Sequence, residues 1–252
     1  MNDSPEKFRW HMDHPEEAEK TPAMIFGSAA HKFILEPADF SNEYVMAMSS
    51  IDRRTKAGKE AWEKFIKDND GKTIISIDDM STLTGMANAV VDCHLAIKML
   101  AGQSEVPFFW KDPETGIACK CKADCVRQID GRYVIVDYKT TLSAQTEKFN
   151  AEIFKRGYMM QAAMYAEGVQ VALGLDYRPG FVFVAQEKKA PYAVNVIEVS
   201  EDVMQYGSRV FHDLLRKYHE CSEMDLWNGY VDDVPNETQL PGWLMFGDED
   251  DA

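Results

Sequence analysis

The chain lacks several features that would place it quickly. No stretch of its 252 residues approaches the ~18 consecutive apolar residues of a membrane-spanning helix. Its first residues, MNDSPEKFRWHMDHPEE, are polar and acidic and hold no apolar signal core, so export is not expected. Cysteine is sparse and odd in number, at five, which without a signal peptide reads as reduced thiols in a cytoplasmic protein rather than a disulfide framework. There is no P-loop, no G-x-S-x-G elbow and no histidine pattern with zinc spacing, and neither an internal repeat nor a long linker interrupts the chain. Positive charge is also short: 27 Lys and Arg face 42 Asp and Glu, a formal net charge of −15. Taken whole, that balance opposes nucleic-acid binding, which draws affinity from neutralising phosphates.

What is present is an ordinary globular mix, 45% hydrophobic and 27% charged, enough for a substantial core. The charge is unevenly placed. Residues 1–110 carry 12 basic and 18 acidic side chains, residues 111–160 carry 9 and 7, residues 161–197 balance, and residues 198–252 carry 3 and 14. The middle is therefore slightly basic, and the global value does not exclude a local anion-binding cleft.

Residues 1–22 read as irregular, punctuated by Pro5, Pro15 and Pro22. A short helix is expected over 23–35, an exposed helix broken near Gly58 over 43–67, and an amphipathic helix over 78–101, with Asp78, Asp79 and Ser81 as cap candidates and Gly102 as its stop. The pattern then changes to period 2. Strands are expected at 105–110, 117–128 and 132–139, the last two joined at Asp130-Gly131, a hairpin signal. A helix over 150–173, strands at 181–185 and 192–199 and a helix over 201–219 follow, then an irregular acidic end. The fold class is α/β (α+β), a central mixed sheet flanked by helices. We read a single domain over 1–252, with a helical part to about 102, a core over about 103–220 and an acidic segment over about 221–252.

The segment KCKADCVRQIDGRYVIVDYKTT (120–141) carries the chemistry. Asp137 and Lys139 are two apart in a strand and share a face, while Val134, Val136 and Tyr138 take the other. The hairpin sets the strands side by side, so Asp124 can approach Asp137. Two converging carboxylates with a lysine beside them suit a hard divalent cation and a substrate phosphate. An isolated D-x-K is often a surface ion pair. Here it ends the near-continuous apolar run of a buried strand, where charge needs a reason. Gln161 and Tyr165, at i and i+4, share a face of the following helix. His31 lies in the first helix, Glu105 opens the first strand, and His94 reads as structural.

An aspartate followed by D-x-K and then Q-x-x-x-Y resembles the PD-(D/E)XK nuclease superfamily in its RecB-like branch. More closely, the chain resembles the RecE (exonuclease VIII) nuclease domains of phages and prophages. The residues that carry the likeness are FGSAAHKFILEP (26–37), EVPFFW with the following TG (105–116), KADCV (122–126), IVDYKTT (135–141), GYMMQAAMY (157–165), WNGY (227–230) and LPGW (240–243). The resemblance implies a restriction-endonuclease-like core. It implies Mg²⁺, with Mn²⁺ as substitute, ligated by His31, Asp124, Asp137 and the Tyr138 backbone carbonyl, with Glu105 as a second-metal or water-holding residue. Lys139 would be the catalytic lysine orienting the attacking water, and Gln161 and Tyr165 would support the site and contact the strand. It further implies an ATP-independent exonuclease acting 5′ to 3′ on double-stranded DNA ends and leaving 3′ single strands. A ring-like homo-oligomer, a single-strand annealing partner and the cytoplasm of a bacterial host complete the expectation. Asp137 stands where glutamate is commoner, one methylene shorter.

Two other readings compete. Some RecB-like single-strand nucleases hold an iron–sulfur cluster, and Cys119, Cys121 and Cys125 invite the comparison. In a regular strand all three share the face opposite Asp124, and only Cys93 and Cys221 remain to complete a set. A non-catalytic assembly protein could use the acidic C-terminal segment to dock a basic partner, but such a protein has no need to keep the two aspartates and the lysine together.

Overall fold

The structure, a computed structural model, describes residues 4–15, 21–48, 54–230 and 237–238. In chain order its elements are α1 (Pro5–Asp13), α2 (Pro22–Leu35), α3 (Phe40–Glu43), β1 (Tyr44–Met46), α4 (Lys56–Asp68), β2 (Thr73–Ile75), α5 (Ile77–Asp92), α6 (His94–Leu100), β3 (Gln103–Lys111), β4 (Ala118–Ile129), β5 (Arg132–Thr141), α7 (Thr146–Lys155), α8 (Tyr158–Leu173), β6 (Gly180–Glu187), β7 (Val194–Glu198) and α9 (Glu201–Met224). They fall into two compact units, residues 20–213 and residues 1–19 with 214–252.

The larger unit is built on a five-stranded sheet in the order β3-β4-β5-β6-β7. Every neighbour is antiparallel except β5 and β6, which run parallel and are joined through α7 and α8, as a parallel pair requires. The mixed sheet expected from the sequence is present. One face carries Val136 and Tyr138 of β5 and Val182 and Val184 of β6, packed on Ala29 and Ala30 of α2, Leu83, Met86 and Val90 of α5 and Ala96 of α6. On the other, Phe183 of β6 meets Phe149 of α7 edge to face, and Phe181 meets Tyr165 of α8. β1 and β2 form a separate parallel pair.

Short side chains start the helices. Thr21, Thr55 and Ser76 each accept the N–H three residues on, satisfying a donor the helix cannot. The cap of α5 is thus Ser76, not Asp78, Asp79 or Ser81. α4 runs through Gly58, and β1 occupies residues expected to be helical. The helix expected over 78–101 is two, broken at Cys93, whose ψ of 94° is extended rather than helical. His94 opens α6 exposed. Gly102 does not end a helix by a left-handed turn. A Cβ there would collide with the Val126 carbonyl and Cys125 Sγ, so it is small to let β4 approach.

The helix expected over 150–173 is also two. Gly157, at φ 72°, turns the chain between α7 and α8, a conformation that costs other residues about 1–2 kcal/mol. At Gly168 of α8 the six-membered ring of Trp110 fills the space of a side chain, which brings α8 down onto β3.

In the smaller unit, residues expected to be irregular form α1. Pro5 takes the first helical position, where its missing N–H costs nothing, and Ser4 accepts from Lys7. Phe8 packs on Tyr218, Tyr218 on Trp227, and Glu6 N–H donates to the Asn228 carbonyl. α9 continues to Met224, past the expected end. LPGW (240–243) and the final acidic run lie outside the described residues. Among the described residues no helix is long and apolar enough to cross a membrane.

Candidate metal and catalytic site

The β4–β5 ladder stops at Cys125↔Val136. The next residue of β4, Asp124, leaves the ladder, and its Oδ2 accepts the Tyr138 N–H at 2.9 Å. This turns the carboxylate toward α2, where His31 Nδ1 lies 3.3 Å away. Glu105 of β3 takes φ 55°, rare outside glycine, and its carboxylate comes within 4.8 Å of the ligand atoms of His31 and Asp124. Lys122, two residues before Asp124, pairs with Glu105. A cleft of about 520 Å³ opens here, lined among others by Gly27, His31, Lys32, Glu105, Lys122 and Asp124.

Asp137 is buried to 1% exposure. Its Oδ2 pairs with Lys139 Nζ at 2.7 Å, and its Oδ1 accepts from Gln161 Nε2 at 2.8 Å. Tyr165, one turn on from Gln161, is close enough to feel it and the two aspartates, although burial is the main cause that raises its phenol. Lys139 Nζ also sits 4.9 Å from the centre of the Tyr158 ring, a cation–π contact. The His31 ring meets that of Tyr138 edge to face, and Tyr138 Oη donates to the buried Gln186, whose Nε2 donates to the Met86 carbonyl.

Electrostatics follow from this burial. Asp124 is held well above the ordinary carboxylate range, first by burial and then by the charge of Asp137. Burial pushes His31 down, toward the neutral imidazole that ligates metals. Burial works against the charge of Lys139, but Asp137 and Asp124 more than offset it, so the ammonium is raised and stays charged.

The structure therefore brings His31, Glu105 and Asp124 together as metal-type donors, with the Tyr138 N–H on Asp124; Asp137, paired with Lys139 and Gln161, stands outside that donor group, and Tyr165 lies one helical turn beyond Gln161. Sequence reading missed Tyr158, Lys122 and Gln186. Each had a signal: Tyr158 is i−3 to Gln161, Lys122 shares strand parity with Asp124, and Gln186 ends a buried apolar strand as Asp137 does.

The donor set fits a hard divalent cation. Asp124 and Glu105 offer oxygens and His31 a nitrogen, and the burial and the neighbouring Asp137 charge that raise Asp124 are what a bound cation offsets. The thiols do not form a second such set. Cys119 and Cys121 pair across the strands with Trp110 and Phe108, the former against α8, whereas Cys125 Sγ donates to the Met99 and Leu100 carbonyls of α6. The shared face expected for the three is lost where β4 turns at Asp124. Among the described residues, no group of metal-type donors includes a cysteine. Cys121 and Cys125 are pushed up to about 11 by burial, so in the native protein at neutral pH both should resist alkylation and react on denaturation. Rapid native labelling of either would contradict this packing.

A family model described as a PDDEXK-like domain of unknown function (DUF3799) matches residues 1–235. The chain belongs to that family. The family's PDDEXK character agrees with the mixed sheet. Comparison with the curated proteins finds no match. Among solved structures, a candidate exonuclease from Eubacterium rectale is 15% identical, with a TM-score of 0.58 over 92% of this chain and 81% of that one, a likeness of fold. SSO0001 is 16% identical over 74% of this chain and 85% of that one, with a TM-score of 0.30, too slight to bear on the fold.

Proposed function

We propose that this protein is a metal-dependent deoxyribonuclease that degrades linear double-stranded DNA from its ends. The observation that carries the reading is the convergence of Asp124, Asp137 and Lys139 beside His31. Membership of a PDDEXK-like family supports it, because nucleases of this type usually use divalent metals.

In this reading Asp124, His31 and Glu105, with Asp137 and the Tyr138 backbone, hold Mg²⁺ or Mn²⁺. Bound there, the cation would polarise a scissile phosphate and acidify a water. Lys139 supplies a fixed positive charge facing the negative charge that develops at the phosphate, and it orients the attacking water. Asp137 and the Tyr158 ring hold that ammonium in place, and Gln161 fixes the second oxygen of Asp137. Lys122 is exposed beside the cleft and can meet a backbone phosphate. No nucleotide-binding motif calls for ATP. The 5′ to 3′ polarity, the 3′ single-stranded product, the ring-like homo-oligomer, the annealing partner and a cytoplasmic role in phage-type recombination rest on the resemblance to RecE-like domains.

The test is Asp124→Asn, which keeps the shape and removes the charge. Calorimetric Mg²⁺ affinity should fall by at least about tenfold, the lower end of what even an outer-shell partner contributes, and hydrolysis of linear duplex should fall with it. An unchanged isotherm would sink the metal assignment.

A further inference from the structure

A second group of metal-type donors lies elsewhere in the larger unit, at the turn between β3 and β4. Asp112, 1% exposed, begins that turn. Its Oδ1 accepts from Thr115 N–H and Oγ1, each at 2.7 Å. Its Oδ2 is buried with no hydrogen-bond donor. His212 Nδ1 of α9 lies 3.7 Å from that oxygen, beyond hydrogen-bond reach. The opposite ring nitrogen, Nε2, is 2.8 Å from Glu167 Oε2 of α8, and Glu167 Oε1 is again buried with no donor. Donor atoms of the three residues lie within 4.8 Å of one another. Cys119 is near enough that its thiol is raised by burial and then by both carboxylates.

Two buried carboxylate oxygens without donors are costly unless a cation meets them. We propose that Asp112, Glu167 and His212 form a second metal site, for a divalent transition metal ion of the zinc class. Imidazole with carboxylates, and a thiol alongside, favours such an ion over Mg²⁺. The 3.7 Å between Asp112 Oδ2 and His212 Nδ1 is too long for a hydrogen bond, and it is near the separation of two donors each about 2.0–2.2 Å from a shared ion. The ion would tie the β3–β4 turn to α8 and α9, a role in stability separate from hydrolysis. The rival is His212 standing between the two carboxylates without metal.

The experiment uses the full chain carrying Asp124→Asn, so that the other cluster is disabled, stripped with chelator and titrated with Zn²⁺ alone. A single zinc per chain and a raised melting temperature are expected, unaffected by excess Mg²⁺. Adding His212→Gln should abolish both, as should Asp112→Asn, with circular dichroism showing that each variant is folded. Failure of the Asp124→Asn chain to bind zinc overturns the proposal, and so does zinc binding that survives in whichever of the two variants folds. Neither result depends on whether the protein cleaves DNA.

Discussion

Lys139→Ala is expected to lower DNA hydrolysis by about 10²–10³-fold, the usual loss on removing one preorganised donor aimed at developing negative charge. The size follows from where the ammonium sits. It is 84% covered, paired with a carboxylate at 2.7 Å and stacked on Tyr158, so no other cation can take its place without rebuilding the pocket. Asp137 keeps its hydrogen bond from Gln161 in the variant, which limits the damage to folding. Lys139→Gln retains a donor toward Asp137 but no charge, and it should show the same loss. Steady-state assays on both, with circular dichroism as the check on folding, decide the matter. Activity within a few-fold of the parent in either would remove Lys139 from the mechanism.

Phe183→Ala is expected to destabilise the fold by about 3–5 kcal/mol, the range for truncating a fully buried aromatic. Phe183 is 0% exposed and is the cross-strand partner of Asp137. Its ring lies against Phe149, Phe181 and Tyr158. The cavity would open under the Tyr158 ring that holds Lys139, so activity at low temperature should fall in the still-folded protein as well. Urea denaturation measures the first effect, and a loss under about 1 kcal/mol would mean that the site collapses to fill the space.

The parts of this molecule that were legible from sequence are those governed by strict periodicity. A strand alternates every two residues, so the common face of Asp137 and Lys139, and the opposite face of Val136 and Tyr138, could be read directly. Asp130-Gly131 announced the hairpin, and both residues do take positive φ. Gln161 and Tyr165 needed only the helical repeat.

What escaped depends on local departures from those periods. Asp124 leaves its ladder to take the Tyr138 amide, which reorders the strand face and separates Cys125 from Cys119 and Cys121. Nothing in KCKADCV marks the residue at which this happens. Gly157 divides two stretches that are each helical, so the apolar pattern continues across it. Pro5 was read as a break, although proline after serine also starts a helix, as it does here. Ser76 caps α5 from a position that the apolar pattern does not single out. The net charge of −15 misled most if taken whole: 14 of the 42 acids lie in residues 198–252, and Asp124 and Asp137 are the candidate metal site itself.

Metal-dependent hydrolysis at DNA ends is the activity proposed for this site. It is tested most directly by incubating linear duplex, labelled at either the 5′ or the 3′ end, with the full chain in Mg²⁺, with and without chelator. Progressive release of short labelled products from 5′-labelled duplex is expected, none with chelator, while a 3′-labelled strand keeps its label and shortens from its 5′ end. Intact duplex in Mg²⁺, or cleavage that chelator leaves untouched, would contradict it.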